Sequence, residues 1–143
     1  MTIYFDMDGT IADLYGVTGW LENLRAEDTR PYDEALPLLN MQVLARRLNK
    51  IQKMGYKIGI ISWLSKNATK EYEEAVTKAK IKWLVKHLHS VTFDEIIIAP
   101  YGTPKETYGT ELDILFDDEE RNRKNWCGTA YNVNNILKVL ASL

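Results

Sequence analysis

The sequence predicts an α/β domain built on a mainly parallel five-stranded sheet with helices on both faces. Three observations carry that expectation. Five short runs have the composition of buried strands, and segments of helical period lie between them. The second and third runs, Lys57 to Ser62 (KIGIIS) and Glu95 to Ala99 (EIIIA), lack the polar alternation of a strand with one wet face. Strand and helix thus alternate, as in sheets whose parallel strands are joined by crossovers. With 143 residues and an ordinary hydrophobic content, the chain can bury one core, so residues 1–143 are expected to form one domain.

The first run, Ile3 to Phe5, ends in the stretch DMDGT. Residues 14–36 then break the alternation. They are longer than a usual strand-to-helix loop, contain Trp20, Arg25, Arg30, Pro31 and Tyr32, and read as a small flap or cap. From Pro37 to Met54, Leu44, Leu48 and Ile51 recur at helical spacing, with Pro37 suited to a first turn and Gly55 to a C-terminal cap. From Thr69 to Leu88 a second stripe, Tyr72, Val76, Ala79 and Trp83, leaves Lys78, Lys82 and Lys86 as a solvated face. An irregular stretch, Pro100 to Leu112, carries Lys105. Two further strands, Asp113 to Phe116 and Ala130 to Val133, precede a last helix over Asn134 to Leu143.

Composition excludes several classes of function. A net charge of −2 and scattered lysines supply no field to gather a nucleic-acid polymer, and no apolar run is long enough to span a membrane. The N-terminus lacks the basic flank, apolar stretch and cleavage site of a secretory signal. Cys127 is the single cysteine, expected as a small buried residue without a disulfide partner. A reduced, cytoplasmic setting is the expectation. His87 and His89 have no third ligand in sequence to suggest zinc.

Ligands of open parallel sheets bind beyond the carboxyl ends of the strands. There the first strand delivers Asp6 and Asp8, the second Ser62, the stretch after the third Lys105, and the fourth Asp117 and Asp118. Two carboxylates about 4 Å apart repel by roughly 4 kcal/mol at an effective dielectric near 20, so the cluster needs a cation or shared protons. An all-oxygen set without His or Cys suits Mg²⁺. Residues i and i+2 of an extended chain point to the same side, so Asp6 and Asp8 can face one reacting group. One can attack phosphorus while the other transfers protons. The amides of the turn from Met7 through Gly9 to Thr10, the Ser62 hydroxyl and Lys105 are candidates for the non-transferred oxygens. Lys66, Lys80 and Lys82 compete with Lys105 for that place. Trp63, directly after Ser62, is counted with the candidate phosphate-binding residues; it and Trp20 in the flap are otherwise core residues or walls for a flat group, and Trp20 and Arg30 are candidate substrate contacts.

Taken together, "DMDGT", "IGIIS", Lys105 and "ILFDD" resemble, in order, the four motifs of the haloacid dehalogenase superfamily of phosphatases. That resemblance implies a three-layer Rossmann-like fold, with Asp6 as nucleophile, Asp8 as general acid and base, and Ser62 and Lys105 as the phosphate clamp. It also implies Mg²⁺ held by Asp6, the Asp8 carbonyl and Asp117, with Asp118 on the ion directly or through water. The layout "APYGTPK" followed by "ILFDDEERN" is similar to the small 5′(3′)-deoxyribonucleotidase branch, with a reduced cap. The expected function is a Mg²⁺-dependent phosphomonoesterase acting through an aspartyl-phosphate on a small phosphorylated metabolite, with a (deoxy)nucleotide 5′-monophosphate the first guess. The alternatives are a receiver-like phosphate-binding module, for which Asp8 is the discriminating residue, and a polynucleotide 3′-phosphatase. A second subunit is a candidate cover for an open site.

Overall fold

Ile3 and Phe5 point to one face of a sheet and Tyr4 to the other, and this alternation organises the whole molecule. The computed structural model describes residues 1–143. Its main sheet contains β1 (Thr2–Phe5), β4 (Lys57–Trp63), β5 (Glu95–Ala99), β6 (Ile114–Phe116) and β7 (Thr129–Tyr131), in the order β5-β4-β1-β6-β7. Every pairing in it is parallel, with Ile3 beside both Ile58 and Ile114. β1 is therefore central, and its carboxyl end opens between those of β4 and β6.

One face is covered by α3 (Met41–Lys53), α4 (Lys70–His87) and α6 (Ile136–Ser142). Their apolar stripes, including Leu44, Leu48, Ile51, Trp83, Leu84, Ile136 and Leu140, pack on Ile3, Phe5, Ile58, Ile60 and Phe116 in one 19-residue core. Full burial of each such aliphatic side chain contributes roughly 1.5–3 kcal/mol, so this layer supplies most of the driving force. The thinner opposite face joins Tyr4, Ile61, Leu115 and Trp126, beneath α5 (Glu120–Asn125). Gly59 is required there, because a Cβ would stand 2.6 Å from the Tyr4 ring. No helix is long and apolar enough to cross a membrane.

The flap is more ordered than its composition predicts. It contains a short 3₁₀ turn (Leu14–Gly16), α1 (Trp20–Arg25) and α2 (Arg30–Glu34), and an antiparallel pair closes its base, β2 (Ala12–Asp13) with β3 (Leu36–Pro37). Pro37 thus lies in extended chain and not in the first turn of α3. The helix starts at Met41 because Asn40 caps it, its Oδ1 accepting from the Gln42 and Val43 amides. Gly55 follows the helix with φ +101, as a C-terminal glycine does. The strand expected at Ala130 begins one residue earlier and ends at Tyr131, since Val133–Asn135 turns into α6. Cys127 is exposed, contrary to the buried position expected from its type.

Candidate active site

Asp6 stands at the end of β1, where its amide donates to the Phe116 carbonyl of β6 at 2.9 Å. The chain then turns sharply. The Met7 carbonyl accepts the amides of Thr10, Ile11 and Ala12, each at 3.0 Å, and the Gly9 amide donates to Ala12 at 2.8 Å. Gly9 adopts φ +81, where an L side chain is strained, and an added Cβ would overlap the Asp118 carboxylate. The Gly9 and Thr10 amides are spent within the turn, so Gly9 serves conformation and not as an anion donor. The Met7 side chain is buried in the core.

The two acids that open the site are held apart by two different lysines. Lys105 Nζ donates to Asp6 Oδ1 at 2.8 Å and to Asp117 Oδ2 at 2.7 Å. Lys80 Nζ donates to Asp8 Oδ2 at 2.9 Å, to Ser62 Oγ at 2.6 Å and to the Trp63 carbonyl at 2.6 Å. Both lysines are about 1% exposed. The two carboxylates thus meet different ammoniums, Lys105 being shared with Asp117, and this offsets part of the repulsion between them. Burial works against the charge on Lys105, but Asp6 and Asp117 outweigh it and push the ammonium upward. Asp8 is raised above the ordinary carboxylate range by burial, with Lys80 opposing and Asp6 reinforcing the shift.

Asp117 and Asp118 follow β6 directly. Asp117 Oδ2 also accepts from Asn122 Nδ2 at 3.1 Å, Asp117 Oδ1 accepts from the Glu119 amide at 2.9 Å, and Arg123 holds the Asp117 carbonyl at 2.9 Å. Thr10 Oγ1 donates to Asp6 Oδ2 at 2.9 Å and accepts from the Asp118 amide at 3.2 Å, joining β1 to β6 across the site. Carboxylate oxygens of Asp6, Asp117 and Asp118 lie within 4.8 Å of one another. Burial, then the Asp6 charge, lift Asp117 to about 6 and Asp118 to about 8. Three acids with one lysine among them keep uncompensated negative charge, and an all-oxygen donor set of this size fits Mg²⁺. Asp8 is not in the group, since its carboxylate is turned to Lys80; its expected share in an ion would fall to its carbonyl.

The expected residues separate on inspection. Asp6, Asp8, Trp20, Trp63, Lys105, Asp117 and Asp118 line one cleft of about 580 Å³. Ser62 is fully buried and does not line it; its hydroxyl oxygen accepts from Lys80, which leaves the hydroxyl hydrogen for another acceptor. Arg30 points elsewhere, to the Thr18 carbonyl at 3.1 Å and to Glu34, and borders a separate shallow depression. The cleft wall is aromatic. Trp63 meets Tyr101 edge-on with centroids 5.2 Å apart, Tyr15 meets Trp20 at 4.9 Å, and the Trp63 indole is pinned by its donation to the Thr103 carbonyl. The Thr10 hydroxyl and Asn122 escaped the sequence reading, which named Thr10 for its amide alone. Thr10 follows the paired acids at once and Asn122 stands five residues after Asp117, so proximity in sequence was the available signal.

No family model matches the chain, and no curated protein matches it. Solved structures do. A D,D-heptose 1,7-bisphosphate phosphatase from B. bronchiseptica, complexed with magnesium and phosphate, aligns with TM-score 0.56 and 13% identity, over 99% of this chain and 98% of that one. The chain has the fold of that phosphatase. The corresponding enzyme from Burkholderia thailandensis gives TM-score 0.51 and 12% identity, over 86% of this chain and 69% of that one. A chain of the Pnkp1/Rnl/Hen1 complex gives TM-score 0.57 and 18% identity, over 92% of this chain but 44% of its own length. At such identities the likeness is one of fold, and it agrees with the three-layer architecture that the four motifs imply.

Proposed function

We propose that the protein is a Mg²⁺-dependent phosphomonoesterase that works through an aspartyl-phosphate on Asp6. The observation that carries this reading is the placement of two acids, two residues apart, at the floor of one cleft, each on a separate buried lysine. Fold likeness to phosphatases, one of them complexed with magnesium and phosphate, adds support. An Asp6 carboxylate oxygen attacks phosphorus as the bond to the leaving oxygen breaks, and the Asp8 carboxylic acid gives that oxygen its proton. Water then attacks the phosphorus, Asp8 takes the water proton, and the bond to Asp6 breaks to release phosphate and restore both acids. Mg²⁺ held by Asp6, Asp117 and Asp118 would neutralise the anionic oxygens that otherwise repel the nucleophile. Lys105 orients Asp6 and adds a positive charge beside it.

Purified protein with Mg²⁺ is expected to release phosphate from an aryl phosphate, and Asp6→Asn or a chelator to abolish release. Absence of turnover across nucleotides, sugar phosphates and phosphoamino acids would end the reading. A phosphorylated protein stable for hours would instead favour the receiver-like alternative. A nucleoside 5′-monophosphate is the favoured substrate, because the Trp63–Tyr101 and Tyr15–Trp20 pairs offer flat apolar surface beside the acids. Higher kcat/KM for nucleotides than for sugar phosphates is the expected result. A reducing, cytoplasmic setting belongs to the same reading and is supported by the single cysteine.

A further inference from the structure

A lysine buried on the apolar stripe of a helix needs a reason. Lys80 lies on α4 between Val76, Trp83 and Leu84, in contact with the core, where a leucine would satisfy helix and packing alike. Replacing a whole buried ion pair by apolar groups is often neutral or stabilising, so stability alone does not call for the Lys80–Asp8 pair, although with Asp8 kept the loss of Lys80 would leave the Asp8 carboxylate unpaired. The surroundings of Lys80 are nonetheless fully matched to an ammonium. Three N–H donors meet three acceptors, Asp8 Oδ2, Ser62 Oγ and the Trp63 carbonyl, and the Tyr32 ring of the flap lies 5.3 Å from Nζ. An ammonium held in this way has one orientation. Lys80 is the side-chain partner of Asp8, and it takes Oδ2 alone, so Oδ1 is left to the cleft that Asp8 lines.

We infer that Lys80 is a positioning residue: it fixes the Asp8 carboxyl so that Oδ1 stands where a proton is exchanged with the leaving oxygen and then with water. The inference rests on the phosphatase reading of the site. Lys105 cannot replace it, being committed to Asp6 and Asp117. The fixed lysine also joins the acid to the flap, because Tyr32 packs beside it from α2.

Lys80→Met tests this, with Lys80→Gln as a second variant should the first fail to fold. A phosphate ester with a poor, alkyl leaving group needs Asp8 in both steps. Its kcat should fall about 100-fold with KM unchanged. An aryl phosphate with a good leaving group needs Asp8 only for hydrolysis of the aspartyl-phosphate. The variant should therefore release a burst of one phenolate per enzyme and then turn over slowly, whereas a purely structural role would lower burst and rate together with the folded fraction. A crystal structure of the variant should find the Asp8 carboxyl turned from its wild-type position. Wild-type kcat on the alkyl ester, equal losses on both esters without a burst, or an unmoved Asp8 would overturn the inference. If the wild-type protein itself hydrolysed neither ester, the phosphatase reading would fall, and the position of Asp8 in the variant crystal would still decide what Lys80 holds.

Discussion

Gly9 and Asp118 come from opposite ends of the chain and compete for one space. A Cβ at residue 9 would overlap the Asp118 carboxylate, and the backbone there has φ +81. Gly9→Ala is expected to cost about 1–2 kcal/mol from the left-handed conformation, measured by urea denaturation, and to weaken Mg²⁺ binding in a titration because Asp118 must move. The acids set a pH dependence of stated sign. Asp117 at about 6 and Asp118 at about 8 lie above the values they take when unfolded, so the folded chain binds more protons than the unfolded chain between those limits. That stability is present at low pH and is lost as pH rises through 6 and then 8. In chelator, the melting temperature should fall between pH 5 and pH 8.5, and Mg²⁺ should raise it more at the upper end. Asp118→Asn should flatten the fall near pH 8. At this scale the paired acids and Lys105 could be expected near one another because each lies beyond the carboxyl end of a strand-like run. The role of Lys80 was not legible, since charge on a helix is ordinarily solvated; its spacing from Val76 and Trp83 puts it on the buried stripe all the same.

Among the elements, the flap is bound to α4 along much of its length. Tyr72 donates to the Asp28 carbonyl at 2.8 Å, Trp83 to the Ala35 carbonyl at 2.8 Å, and the Thr69 amide to Glu27 at 2.9 Å, around an apolar patch of Leu14, Tyr32, Leu64 and Val76. Tyr72→Phe removes one anchor, the bond from its hydroxyl to the Asp28 carbonyl. A loss of about 1 kcal/mol in denaturant unfolding is expected, with a raised KM and little change in kcat if the docked flap forms the substrate wall. The strands were legible as short runs rich in Ile, Val and aromatics, and the long helices by their regular apolar period. α1, α2 and the β2–β3 pair were not, because these short elements carry neither a run of apolar residues nor enough turns to show a helical period. Pro37 misled for a physical reason: proline suits a helix start and an extended strand equally, and the decision fell to the cap at Asn40.

For the molecule as a whole, the site depends on a strand order that the chain visits out of sequence. β1 is flanked by β4 and β6, and Thr10 meets Asp118 across 108 residues of chain. Five parallel strands and their carboxyl-end site could be expected from composition, whereas the order β5-β4-β1-β6-β7 and the convergence of both lysines depend on packing that no local pattern records. That order has a kinetic consequence. Loop-closure entropy must be met before non-local pairings reward it, which makes refolding slower than that of a helical bundle of this size. The acids proposed to hold Mg²⁺ meet only when β6 joins β1, so an ion bound there stabilises the folded state. In stopped-flow experiments Mg²⁺ should leave the refolding rate unchanged and slow unfolding, making the ion a brake on escape from the native state and no help in reaching it.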